Sequence, residues 1–472
     1  MKKRKKEKLI EISFKKLSDG RLVEITFDSE RSPSRQFAIY NPKRDEIELV
    51  SEIKLSDNKT LIPLQTQMID KGVVLLPSEP ADSIGDDKEL LGEIQEYISR
   101  YLDINKFFLK ISAYYVLLSW VYDCFSVLPY LRVIGDSGTG KSRFLLAVGL
   151  LLYKPMFTSG ATTASPIFRL IEKVGGSLII DEADFRHSEM QADIVKILNC
   201  GYQDTFPVLR VEGDKNRDVR AYRVYSPKIL ATRERFKDSA LESRMLTQEM
   251  EGEPRVDIPL VFPKEAWSEA LTLRNKLLFW RFRNYNKVAL PVSDEMGKIE
   301  PRLKQIVLPL LGIIKDKDVI KELRSFLRSY QKQIISDRGT ERHVDILEAI
   351  VALKMEESNL TMKHIADELN KSVDIESGEK KITPRSVGYI NKKYLRLQTK
   401  RISGRYHIVW EAEKIRKLCS RYGVKFPYKK KNDLSVKEVK EIFGVDSKKN
   451  SLKSIKSPNT QGEQGTLVTL VT

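Results

Sequence analysis

One octet constrains this chain more than any other stretch. Leu131-Arg132-Val133-Ile134 is an apolar run of strand type that passes directly into Gly135-Asp136-Ser137-Gly138-Thr139-Gly140-Lys141-Ser142. The pattern is GxxxxGK[ST], and the residues after it (RFLLAVGLLL) continue with helical spacing. Strand, glycine-rich loop and helix in that order build a cradle for phosphates. Glycines let main-chain N–H groups wrap the anion, and the helix turns its positive amino end towards it. All eight residues are candidate nucleotide-binding residues, with Lys141 reaching the β- and γ-phosphates of ATP and Ser142 holding Mg2+.

Ser177-Leu178-Ile179-Ile180-Asp181-Glu182-Ala183-Asp184 follows, with Asp181 forty residues after Lys141. A short apolar strand ending in two acids supplies what a phosphate loop needs for hydrolysis. Asp181 binds Mg2+ through water, and Glu182 orients and deprotonates the attacking water. Asp184 is either a third acid of the site or the cap of the next helix. From Tyr130 to Glu251 short apolar strands alternate with helical segments, so the fold class is α/β.

Length and composition set the rest of the frame. At 472 residues, with 41% hydrophobic and 31% charged residues, the chain has room for about three domains and is not wholly disordered. Its three cysteines and four histidines are scattered, with no CxxC pair, which argues against a disulfide framework or a zinc site of usual spacing. A reducing, cytoplasmic setting is expected. The basic run Met1 to Lys8 lacks the apolar segment of a secretory signal, and Phe107 to Phe125 is broken by Lys110, so it reads as a buried helix. A soluble protein without a membrane partner is expected.

The organisation reads as a basic leader and β-rich domain over 1–77, then a linker and helical segment over 78–128. A P-loop ATPase core follows over 129–253, then a helical lid over 254–337. A reader domain occupies 338–425 and a basic tail 426–472. In the first domain the runs LIEISF, RLVEITF, RQFAIY, EIELV and GVVLL alternate with strand period, the first two joined by a turn at Asp19-Gly20. Within the core, 206–225 reads as a β-hairpin tipped by EGDKN, Lys228 to Thr232 as a strand, and 238–245 as the segment DSALESRM.

Taken together, these motifs make residues 130–330 resemble the AAA+ ATPases, in the clade of minichromosome-maintenance (MCM) and superfamily 3 helicases. The resemblance implies a trans-acting arginine finger at Arg244, a sensor 1 residue at Thr232 and a sensor 2 arginine at Arg302. The family's usual sensor 1 Asn is missing, because ATRER stands there. The hairpin resembles one that enters a central channel, which implies DNA contacts at Lys215 and Arg217. The chain departs from MCM proteins in leaving only nineteen residues between Phe157 and Ser177, too few for a second hairpin, and in lacking N-terminal zinc ligands. A compact relative is expected, as in replication proteins of mobile elements or phages.

A second signal lies in 341–410. Three helical patterns are followed by a strand pair about Ser403-Gly404, an α+β order that resembles a winged helix-turn-helix; Thr383 caps the third helix and Pro384 opens it. Between Thr383 and Arg405 stand Arg385, Lys392, Lys393, Arg396, Lys400, Arg401 and Arg405, with no acid among them. Such a run suits phosphate neutralisation on duplex DNA. The expected function is an ATP-dependent DNA helicase, translocase or replication initiator, a homo-oligomer of hexameric type with single-stranded DNA in its channel. The alternative is a DNA-bound regulatory switch or loader that does not unwind.

Overall fold

The structure is a computed structural model. It describes residues 8–55, 58–181, 188–212, 218–236, 238–250, 255–291, 299–339, 342–371 and 381–426. The chain forms two compact units, residues 1–334 and 335–472.

The first unit opens with β1 (Lys8–Ile12), β2 (Phe14–Lys16), β3 (Leu22–Phe27), β4 (Arg35–Asn41), β5 (Glu46–Val50), β6 (Ile53–Leu55) and β7 (Lys59–Pro63), then the turn α1 (Gln67–Asp70). The expected hairpin about Asp19-Gly20 forms between β2 and β3. The run LIEISF, however, is not one strand. It divides at Ser13, β1 pairing in parallel with β7 while β2 begins the sheet β2-β3-β4-β5. Ser13 accounts for the break, since its hydroxyl donates to Val174 O (2.8 Å) and its carbonyl accepts from Lys154 Nζ (2.8 Å). The run GVVLL makes only a single bridge, Val74 to Met156.

Two long helices follow, α2 (Asp87–Tyr101) and α3 (Lys106–Trp120). A capping box between Asp86 and Glu89 starts α2, satisfying helix-end N–H groups on both sides. Helix α3 carries the apolar window and is buried along most of its length. No described helix is long and apolar enough to cross a membrane.

The centre of the unit is built from β8 (Tyr130–Ile134), α4 (Lys141–Gly149), β9 (Met156–Ser159), α5 (Ala164–Val174), β10 (Leu178–Asp181), α6 (Ser188–Cys200), β11 (Val208–Glu212), β12 (Asp218–Tyr222), β13 (Lys228–Thr232), α7 (Ser239–Glu242) and β14 (Met245–Glu249). Five strands form one all-parallel sheet in the order β14-β8-β13-β10-β9, which makes the fold α/β. Parallel strands covered on both faces read as continuous apolar runs, and β8 and β13 are buried at every position. Strands β11 and β12 form a separate antiparallel ribbon. Helices α8 (Lys264–Asn284), α9 (Pro301–Leu311) and α10 (Lys317–Gly339) complete the series.

One hydrophobic core runs through the unit, taking in Leu22 and Tyr40 of the N-terminal strands, Trp120, Leu131, Ile179 and Leu277. A charge cluster lies inside it. Glu24 accepts from Tyr153 Oη (2.8 Å) and Arg281 Nε (2.6 Å) and pairs with Lys154 Nζ (2.9 Å), while Arg281 also holds Asp123 (2.8 Å). Burial pulls the Lys154 ammonium below its ordinary value, against the pull of Glu24.

The second unit contains α11 (Arg342–Met355), α12 (Met362–Asn370), α13 (Pro384–Ile390), β15 (Thr399–Ile402), β16 (Arg405–Ile408) and α14 (Ala412–Tyr422). Val344, Leu347, Ile350, Ile365, Val387, Leu395, Ile408 and Ile415 form its core. Thr383 caps α13 by accepting from Ser386 N (3.2 Å), and Pro384 occupies the first turn. Helix α13 does not run on as an α-helix past Ile390, because Asn391–Leu395 is a π-helical turn. The buried Asn391 amide explains the change: its Nδ2 donates to Leu397 O (3.0 Å) and its Oδ1 accepts from Leu397 N (3.2 Å), which pulls the chain back on itself.

Candidate functional sites

Strand β8 ends at Ile134 and the loop 135–140 carries the chain into α4. Gly135 is required by close approach, because a Cβ there would lie 2.6 Å from Thr139 Oγ1 and 2.8 Å from Met250 O. Gly140, the residue before α4, has φ +89°, a conformation that side chains disfavour. Lys141 Nζ donates to Gly135 O (2.7 Å) and Asp136 O (2.5 Å), so the lysine folds back over its own loop. Ser142 Oγ donates to Asp181 Oδ2 at 2.9 Å, which joins the loop to the end of β10 two strands away. Ligands of parallel sheets bind at the carboxyl ends of strands, and these residues all lie there.

Ser137 to Ser142 and Asp181 line one cavity of about 880 Å³. Its other wall is apolar, formed by Leu102, Ile104, Ile258, Pro259, Leu260 and Phe326. Phosphate-binding groups on one side and an apolar wall on the other suit a nucleotide. The Ser142 hydroxyl and the Asp181 carboxylate are two adjacent hard oxygen donors, a set that fits Mg2+. Among the described residues no three His, Cys, Asp or Glu side chains group as a metal cage. Mg2+ is commonly held by one or two protein oxygens plus nucleotide phosphates and water.

Five further charged residues line this cavity that the sequence reading did not single out: Asp103, Arg143, Arg233, Arg235 and Glu249. For Arg233 and Arg235 the signal was present in ATRER, which was read only for its missing Asn. Thr232, the sensor 1 candidate, is buried at the end of β13 and is not part of the cavity wall. Its carbonyl accepts from Gly135 N (3.3 Å), so it braces the loop through main chain.

Glu182 lies outside the described residues, as do Lys215 and Arg217. Arg244 precedes β14, at the edge of the sheet opposite the phosphate loop. It is 7% exposed, hydrogen bonds Asn199 and lies over the Tyr202 ring at 4.3 Å. Arg302 reaches Ser243 Oγ at 3.4 Å and is not part of the cavity wall. The structure therefore brings Lys141, Ser142 and Asp181 together and leaves Thr232, Arg244 and Arg302 out of that group.

On the β11–β12 ribbon, Arg210 pairs with Asp193 (3.5 Å) and Arg220 with Glu212 (3.6 Å). The opposite face presents Leu209, Val211 and Val219, all exposed.

In the second unit Arg385, Lys392, Lys393, Arg396, Lys400, Arg401 and Arg405 are all exposed, and none makes an ion pair among the described residues. A groove of about 970 Å³ runs between α13 and the β15–β16 hairpin, lined by Arg385, Lys392, Arg396, Arg405 and Tyr406 with Lys363 of α12. Tyr389, Tyr394 and Tyr406 are exposed among these cations, and Lys393 Nζ lies 5.0 Å from the Tyr394 ring centre.

No family model matches the chain, and no curated protein matches it. Among solved structures, the NrS-1 C-terminal region is 12% identical, covers 82% of this chain and 96% of its own, and gives a TM-score of 0.36. SCCmec type IV Cch, described as an active helicase, is also 12% identical, with 88% and 80% covered and a TM-score of 0.36. A full-length MCM homologue from Methanopyrus kandleri is 12% identical, with 63% and 68% covered and a TM-score of 0.34.

Proposed function

We propose that the protein is an ATP-dependent DNA translocase, helicase or replication initiator, working as a homo-oligomeric ring of hexameric type. The convergence of Lys141, Ser142 and Asp181 on one cavity carries the reading. The exposed cationic face of the second unit, shaped in this reading as a winged helix, supplies the duplex contact. Lys141 exchanges the loop carbonyls for the β- and γ-phosphates. Mg2+, when bound by Ser142 and Asp181, offsets phosphate charge as the phosphoryl group transfers. Glu182 is the base that takes the proton of the attacking water.

Arg244 is proposed to act in trans. The five residues of β14 separate it from the phosphate-loop edge by roughly 16 Å, too far for its own nucleotide. Asn199 and Tyr202 hold it, so assembly must draw it out of that pocket. Arg302, beside Ser243, is proposed as a second cation on that edge, and Thr232 as the residue that fixes the loop. Lys215 and Arg217 are the proposed channel contacts.

The alternative, a DNA-bound switch or loader, draws support from the ribbon. Its arm arginines are already paired and its outer face is apolar, which suits a protein contact. Purified protein is expected to hydrolyse ATP faster with forked DNA and to unwind it. Lys215→Ala should abolish unwinding while basal hydrolysis stays within about twofold of wild type. Hydrolysis indifferent to DNA, with no unwinding, overturns the motor reading.

A further inference from the structure

Among the described residues of the second unit three tyrosines stand exposed beside the cations, and the fold treats them differently. Tyr394 lies flat on the buried His343 ring, with centroids 5.0 Å apart and planes 6° from parallel, so one of its faces is already covered. Tyr389 is open but is not part of the groove wall. Tyr406 is 57% exposed and lines the groove together with Arg385, Lys392, Arg396 and Arg405.

Strand β16 explains why Tyr406 stands there. Residues two apart in a strand share a face, and Ile408, two residues on, is buried in the core of the unit. Tyr406 continues that face past the edge of the core and into the groove. Arg401 is its cross-strand partner, with the guanidinium carbon 6.0 Å from the ring centre. The base of the hairpin is fixed by main chain, because Ile408 N donates to Leu360 O (2.8 Å) and His407 bridges Thr361. A ring carried on such an element is ordered in advance, which lowers the entropic cost of binding.

The facing wall has an irregularity of its own. Gly388 sits inside α13 and lines the same groove. A Cβ built there would meet nothing within 4 Å. Neither packing nor a turn requires glycine at this position, although glycine weakens a helix relative to alanine. What it leaves is a bare stretch of helix facing the hairpin.

An aromatic face in a cationic groove says something that cations alone do not. Inside a duplex each base face is covered by the next base pair, so an exposed ring finds no partner there. An unpaired base offers its face, and single strands are bound by stacking on aromatic rings while Lys and Arg hold the phosphates. We propose that the groove between α13 and the β15–β16 hairpin holds an unpaired nucleotide of DNA, its base stacked on Tyr406 and its phosphates on Arg385, Lys392 and Arg405. This rests on the nucleic-acid reading of the cationic face and narrows it. The second unit engages DNA where duplex gives way to single strand. Lys393 and Lys400, outside the groove, are left for the phosphates of the adjoining duplex.

The test is equilibrium binding of the full chain, without ATP, to two DNA probes. One is a duplex with a thymidine tail, and the other is a relaxed, covalently closed duplex circle with no unpaired base. Tyr406→Ala is expected to lose roughly 5- to 100-fold on the tailed probe, the range for one stacked base, and to stay within about twofold on the circle. Tyr406→Phe keeps the ring and should match wild type on both. Gly388→Leu, which puts a side chain on the bare wall, should weaken the tailed probe alone. An iodouracil placed in the tail beside the duplex should crosslink to Tyr406 on irradiation, as mapped by mass spectrometry. An alanine variant that binds the tailed probe like wild type, or that loses both probes equally, overturns the inference. So does a Tyr406→Phe variant as weak as the alanine one, which would assign the contact to the hydroxyl, and so does a crosslink confined to the first unit. Wild-type protein that binds neither probe overturns the nucleic-acid reading itself.

Discussion

The two units use the same basic residue types for opposite ends. In the first, Arg132, Lys154, Lys228, Arg274 and Arg281 are buried. Four of them are met by groups from distant sequence: Glu242 for Arg132, Glu24 for Lys154 and Arg281, the Leu150 carbonyl for Arg274. Lys228 has no carboxylate but donates to Gly201 O, Val224 O and Ser226 O at 2.9–3.1 Å. In the second unit, the seven cations over Thr383–Arg405 are exposed, and none makes an ion pair among the described residues. Positive charge in a sequence is thus no map of where an anion binds. What decides is whether the fold brings acceptors to the cation or leaves it to find them elsewhere.

The largest test of that contrast is Arg281→Leu. Removing the cation leaves Glu24 and Asp123 without their shared partner inside the core, a loss of about 3–5 kcal/mol for a broken buried pair. Urea unfolding should show it, with DNA affinity of the remaining folded protein unchanged. A loss below about 1 kcal/mol would remove the cluster from any structural account.

The complementary change is Arg385, Lys392, Arg396 and Arg405 all to Gln. At about 0.9 counter-ions per phosphate contact, the salt dependence of duplex binding should lose roughly 3–4 units of log–log slope. The melting temperature should stay within about 2 °C. If the melting temperature falls while the slope is kept, the two units have been assigned the wrong way round.

The smallest effect concerns pH. Burial drives the Lys228 ammonium well below its ordinary value. Between that depressed value and about 10.4, the ordinary value kept by the unfolded chain, the unfolded state binds more protons. Stability therefore rises with pH through that window, by at most about 1.4 kcal/mol per unit. Lys228→Met should flatten the rise when urea midpoints are compared up to pH 9.5. Above pH 10 the buried tyrosines Tyr115, Tyr130 and Tyr153, all raised by burial, act in the opposite sense.

What the sequence disclosed follows from how local each signal is. The phosphate loop was legible because strand, glycines, lysine and helix are contiguous. Asp181 was legible because an apolar run ends on it. Thr383 and Pro384 announced α13 by capping chemistry alone. The place of Arg235 on the cavity wall was not recognised because its partners Glu242 and Glu249 are brought to it by α7 and β14. The π-helical turn at Asn391–Leu395 depends on one buried amide, which no periodicity reveals. Helix α14 was missed although Ile415, Leu418, Cys419 and Tyr422 carry helical spacing and Gly423 ends it at φ +74°. The division of LIEISF at Ser13 could not be read, because the groups that bend it come from Lys154 and Val174.

The Glu24–Arg281 cluster also bears on how the helical segment can work mechanically. Arg281 belongs to α8, and the same helix is fixed by Lys276 on Glu93, Arg274 on Leu150 O, Trp280 on Asp87 and Phe282 stacked on Tyr40. Swinging α8 as a flap would tear a guanidinium from the buried Glu24 and the half-buried Asp123. Helix α8 is therefore a bearing block, bolted to the N-terminal strands, to α2 and to the end of α4 alike.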